Sequence, residues 1–167
     1  MKFGLATASS PSDSNVPDNI VIETSTPWVA ASDGNLATLK KSLESLRLPI
    51  TCADDNGYTL LHAAASYSQM EVLEWLTSQE GCDLNVQDSD GDTPLHHCDA
   101  VEAAQLLIER GASVDVKNNA GETPLAAKEA EINDGSDEES DSEDEDALAL
   151  KKLVNYLRDV SSSSMSA

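Results

Sequence analysis

Apolar positions fall at helical spacing in separate blocks along this chain. Leu36, Leu39, Leu43 and Leu46 form one stripe; Val72, Leu73, Trp75 and Leu76 form a second. Leu106 and Leu107 belong to a third, and Ala147, Leu148, Leu150, Leu153, Val154, Tyr156 and Leu157 make the last. Ahead of each stripe stands a shorter block that opens on Thr: Thr26, Thr59, Thr93 and Thr123. The second of these continues into Ala63, Ala64 and Ala65, small residues that let helices approach closely. The pattern predicts helix pairs, a first helix begun at each Thr and a second carrying the broader apolar face.

The openings share a phrase. Asp90-Gly91-Asp92-Thr93-Pro94-Leu95-His96 is its fullest form. Asn56-Gly57-Tyr58-Thr59-Leu60-Leu61-His62 stands 34 residues earlier, and Ala120-Gly121-Glu122-Thr123-Pro124-Leu125-Ala126 stands 30 later. Asp90-Gly91 reads as a tight turn in which glycine takes a positive φ. Thr93 can cap the following helix through its hydroxyl. Pro94 then occupies the first helical position, where a missing N–H costs nothing. Leu95 points into the core.

A Gly-x-Thr-Pro-Leu-His phrase at a period near 33 resembles the ankyrin repeat family, notably its small single-domain fungal members. The resemblance implies an all-α solenoid of helix-turn-helix units joined by hairpin fingers. It implies that His62 and His96 bond locally and steady neighbouring hairpins. It also implies that fingers and first helices form a concave face for binding another protein.

Four units are expected, at about 26–53, 54–87, 88–118 and 119–159, inside a domain of 25–159. In the first, Thr26-Pro27-Trp28-Val29-Ala30-Ala31 matches the phrase with Trp for Leu and Val for His, as suits an atypical terminal repeat. In the second, Ser68 stands where the family usually has Gly. The third lacks about one helical turn. Its exit phrase Gly111-Ala112-Ser113-Val114-Asp115 is intact, so the loss falls at the end of the first helix and should indent the surface. In the fourth, an acidic loop at 133–146 separates Thr123-Pro124-Leu125-Ala126-Ala127 from the last apolar helix. Deleting that helix would then destabilise the array. Residues 1–24 and 160–167, polar and without periodicity, read as disordered.

Charge narrows the partner. The net charge is −21. The run from Asp134 to Asp146 holds nine carboxylates and no base, and residues 25–133 hold 18 acids against six bases. A phosphate backbone would meet a field of the wrong sign, so no nucleic acid is expected, and a protein with a basic surface is the natural complement. Mutual repulsion argues for a monomer. Nothing in the chain reads as a signal peptide or membrane span, and the expected compartment is cytoplasmic and/or nuclear.

No nucleophile elbow, phosphate loop, dinucleotide fingerprint or metalloprotease motif occurs, so neither an enzyme nor a cofactor is expected. Cys52, Cys82 and Cys98 read as reduced structural thiols. His96-His97-Cys98 suggests a metal, yet neighbouring helical residues point about 100° apart and cannot easily converge on one ion, so no metal is expected. The function expected is non-enzymatic protein binding through the fingers, carried by Asp55, Tyr58, Ser89, Asp90, Asp92, Asn118 and Glu122. The alternative is an escort of a basic protein, ribosomal or nuclear for example, that uses the acidic loop. Ser136, Ser140 and Ser142 each precede an acid by three residues, a pattern favoured by acid-directed kinases, and are candidate phosphorylation sites.

Overall fold

The computed structural model describes residues 23–134 and 145–164. The N-terminal residues up to 22, the acidic stretch 135–144 with its three serines, and residues 165–167 lie outside the described part. Among the described residues seven helices follow in order: α1 (Thr26–Ser32), α2 (Leu36–Leu46), α3 (Leu60–Ser66), α4 (Met70–Thr77), α5 (Val101–Glu109), α6 (Pro124–Asp134) and α7 (Glu145–Ser164). Among the described residues the β pairing is an isolated antiparallel bridge between Ala53 and Thr59. The described chain is an all-helical solenoid of stacked helix pairs, the architecture that the resemblance implies.

Helices pack in pairs, α1 on α2, α3 on α4 and α6 on α7. The pairs stack through α1 on α3, α4 on α5 and α5 on α7. One continuous core results. Leu39, Leu43, Val72, Leu73, Leu76, Leu107, Leu153 and Leu157 supply its bulk from the longer helices. Ala30, Ala31, Ala63, Ala64 and Ala65 supply close contact from the short ones. Burying a leucine contributes about 1.5–3 kcal/mol, so the stacking of these faces, and not helix propensity, holds the short helices. Not every apolar position of the last stripe joins in, for Leu148 is 51% exposed.

The third pair is incomplete. From Thr93 the chain makes one turn over residues 94–97, closed by bonds from the His96 amide to the Thr93 carbonyl (2.9 Å) and the Cys98 amide to the Leu95 carbonyl (3.4 Å). It then enters α5 at Val101. Leu95 and Cys98 still reach the core fully buried.

Two readings of the sequence are corrected. The first concerns register at α1. Ser25, not Thr26, stands at the N-cap position, without a side-chain capping bond, and Ser25 to Gly34 spans the same interval as Thr59 to Ser68. Trp28, not Val29, therefore stands at the position of His62. The second concerns the C-terminus. α7 continues to Ser164, past Asp159. Val160 packs on the core, and the Ser162 and Ser163 hydroxyls donate to the Arg158 and Asp159 carbonyls one turn back. A polar tail can thus extend a helix that its neighbour already anchors.

Candidate functional site

The fingers are built from three hairpin turns of one design. In each, the first side chain folds back on its own backbone. Asp54 Oδ1 accepts from the Asn56 and Tyr58 amides, both at 2.9 Å. Asp88 Oδ1 accepts from Asp90 and Asp92, also at 2.9 Å. Asn118 Oδ1 accepts from Ala120 and Glu122 at 3.1 and 3.0 Å. These are Asx turns, which explains Asp or Asn at each of the three positions.

The fingers are then zipped together. The Ser89 amide and hydroxyl both donate to the Asn56 carbonyl, at 2.8 and 2.7 Å. The Asn119 amide donates to the Asp90 carbonyl and its Nδ2 to the Ser89 carbonyl, both at 2.9 Å. Asn118 Nδ2 donates to Asp92 Oδ1 at 2.8 Å. Gly91 sits at the tightest point: a Cβ there would lie 2.7 Å from the Asn119 nitrogen.

A second series locks each first helix to the next finger. Thr59 caps α3, and its amide donates to His62 Nδ1 at 3.1 Å. With Nδ1 accepting, the proton sits on Nε2, which donates to the Asp92 carbonyl at 3.0 Å. His96 repeats this with Thr93 and the Glu122 carbonyl, at 3.1 Å for each bond. Trp28 begins the series, its indole N–H donating to the Tyr58 carbonyl at 2.8 Å. Burial holds the His62 and His96 imidazoles below the ordinary range, partly offset by the bonds to Asp92 and Glu122.

His97, given no role from sequence, completes a cluster at the centre of the finger face. Its Nε2 bonds Asp88 Oδ2 at 2.9 Å. The Tyr58 ring stacks on His62, and His97 stands edge-on to both, with all three centroids 5.3 Å apart. Burial alone would raise the Asp88 carboxyl. Hydrogen bonds from His97 and from the Asp92 and Asp90 amides hold it below the usual range.

Donor atoms of His62, Asp88 and His97 lie within 4.8 Å of one another. The donor chemistry does not suit an ion. His62 Nδ1 is occupied by the Thr59 amide, so Nε2 carries a proton and has no lone pair to offer. Ligation would sever the bond that holds the next finger. His96, His97 and Cys98 likewise go three ways, to Glu122, to Asp88 and into the core. Burial pushes the Cys98 thiol up to about 12, which removes it as a thiolate nucleophile or ligand.

The seven residues singled out from sequence thus divide. Ser89, Asp92 and Asn118 spend their side chains between fingers. Tyr58 bonds Ser66 Oγ through its hydroxyl at 2.8 Å. Asp55 and Asp90 are exposed and Glu122 half-exposed, and among the described residues their carboxylates take no hydrogen bond. Sequence reasoning also missed Lys128, buried on α6 with its ammonium 2.9 Å from Asp99 and 3.1 Å from Glu131. Those carboxylates raise its pKa despite burial. Lys128 occupies the position of Cys98 and Ala64, five residues after the capping Thr, so only its packing beside the shortened unit marks it.

A family model for ankyrin repeats, in three copies, matches residues 28–118. An ankyrin repeat-containing protein of Schizosaccharomyces pombe is 44% identical over 115 residues, covering 67% of this chain and 54% of that protein. SH3 and multiple ankyrin repeat domains protein 2 of Homo sapiens is 33% identical over 79 residues, 46% of this chain and 4% of its own length. Protein phosphatase 1 regulatory subunit 12A of Mus musculus is 36% identical over 80 residues, 46% of this chain and 8% of that protein. The chain therefore spans about half of the fission-yeast relative and a small part of the two mammalian ones.

Proposed function

Because this chain belongs to the ankyrin repeat family, whose fold is a non-catalytic protein–protein interaction module, we propose that it binds a protein partner through its finger face, without turnover of its own. One observation carries this reading. The backbone and most side chains of the fingers are bonded to one another, while the carboxylates of Asp55, Asp90 and Glu122 project from that frame with no hydrogen-bond partner among the described residues. A rigid comb of this kind loses little entropy on binding and presents negative charge at fixed spacing. The complement is a protein with a basic surface, which charge would also steer to the site.

A second reading is favoured by the charge of the whole chain. A net charge of −21, nine of whose carboxylates fall between Asp134 and Asp146, suits an escort that shields a basic protein. Affinity capture from native lysate separates the two readings. The intact chain is compared with the Asp55→Asn/Asp90→Asn/Glu122→Gln variant and with one whose nine run acids become amides. A partner lost with the finger acids supports finger binding; one lost with the run acids, and in high salt, supports the escort. A partner retained by both variants contradicts both readings.

A further inference from the structure

A cleft adjoins the incomplete third unit, at the residues where its single turn passes into α5. It lies between the start of α5 and the start of α7 and encloses ≈ 280 Å³. Its floor is apolar: Ala100, Val101, Leu148 and Ala149. Leu148 is the informative residue. It sits on the apolar stripe of α7, yet it is 51% exposed and lines this cleft with Ala100 and Val101, the residues that follow the one-turn first helix of the third unit. The rim is acidic. Glu102 and Glu145 line the cleft and exposed Asp146 follows Glu145, against Lys152, while Asp99 ahead of the cleft is already paired with Lys128.

We propose that this cleft is a second docking site, apart from the finger face, for a basic segment of a partner protein carrying one apolar anchor. The floor suits one side chain of leucine or methionine size. The rim selects its neighbours, since Lys or Arg on either side of the anchor would meet Glu102 and Glu145. The chain's own acidic run cannot fill the floor, because no apolar side chain stands between Asn133 and Asp146. A second copy would bring a further −21 to an acidic rim.

The test uses two labelled seven-residue peptides, six lysines around a central leucine and the same with serine, followed by fluorescence anisotropy. Full-length protein is used at about 0.15 M salt, where exposed charges more than about 8 Å apart are largely screened. The leucine peptide is expected to bind about tenfold more tightly, the difference one buried leucine makes. Leu148→Ser, at an exposed position, should remove that difference and leave the weak attraction of the serine peptide. The Asp55→Asn/Asp90→Asn/Glu122→Gln variant should preserve it, so the outcome is separable from the fate of the finger-face reading.

Equal binding of the two peptides overturns the proposal, as does a leucine preference that survives Leu148→Ser or disappears in the finger variant. Tighter leucine-peptide binding after Phe3→Ser and Leu5→Ser would assign the cleft to the chain's own N-terminal stretch, and a dimer dispersed by Leu148→Ser would assign it to a second copy. Either result replaces the partner proposed.

Discussion

The Trp28 indole donates to the Tyr58 carbonyl at 2.8 Å, in the place where His62 donates to Asp92 and His96 to Glu122. Two chemically different rings perform one task, because the task needs only a planar N–H held three residues after the helix cap. Trp28→Phe keeps an aromatic ring at the position, though a smaller one, and removes the donor. It should cost about 1 kcal/mol, the usual net worth of one hydrogen bond, read as a lower urea midpoint. An unchanged midpoint would show that the bond contributes nothing.

The imidazoles give stability a pH dependence with a definite sign. His62 and His96 are held below 6.5, so these two imidazoles stay neutral in the folded chain where the unfolded chain binds protons. Their contribution is complete above pH 6.5 and is lost as pH falls through the folded values. The urea midpoint should therefore drop between about pH 7.5 and 5.5, and drop less in His62→Gln. Comparing the slopes separates the imidazole from the charge of the remaining molecule. A steeper slope in the variant would contradict the assignment.

Gly91 and Gly121 share a backbone conformation, at φ +79° and +81°, but not surroundings. Alanine at Gly121 meets open space and should cost only the left-handed penalty of about 1–2 kcal/mol. Alanine at Gly91 also drives into the Asn119 amide, which is backbone and cannot swing aside. Gly91→Ala should cost more than Gly121→Ala in chemical denaturation, and equal costs would mean that the fingers are not zipped as described.

Ser68 sits at φ +52°, where a side chain is strained. Ser68→Gly should stabilise the chain by about 1 kcal/mol, net of the flexibility that glycine adds to the unfolded chain. A loss of stability on thermal unfolding would contradict it.

What was legible in the sequence was whatever repeats. The Gly-x-Thr-Pro-Leu-His phrase carried the solenoid, and its resemblance carried the tie from His62 and His96 to neighbouring fingers. Departures were legible only as departures. Thr26-Pro27 imitates the phrase so well that it shifts the apparent N-cap position from Ser25 by one residue, and only the spacing to Gly34 discloses it. His97 carried no signal, because its partners Tyr58 and Asp88 come from other parts of the chain. Lys128 misleads for a similar reason. A lysine reads as solvent-facing, but Asp99 and Glu131 make burial tolerable. Among the finger residues, sequence could name polar side chains at the turns. It could not tell those bonded to the next finger from those left free, since that depends on register between units.

The claim that the finger carboxylates meet the partner is tested most directly by one affinity. The partner captured by the intact chain is purified, and its Kd is measured by titration calorimetry against the intact chain and the Asp55→Asn/Asp90→Asn/Glu122→Gln variant. These side chains bond nothing in the described structure, so the two proteins should unfold alike. Binding should be weaker by about tenfold or more in the variant, from losing contacts of about 0.5 kcal/mol or more at each of three charges. An unchanged Kd would contradict it.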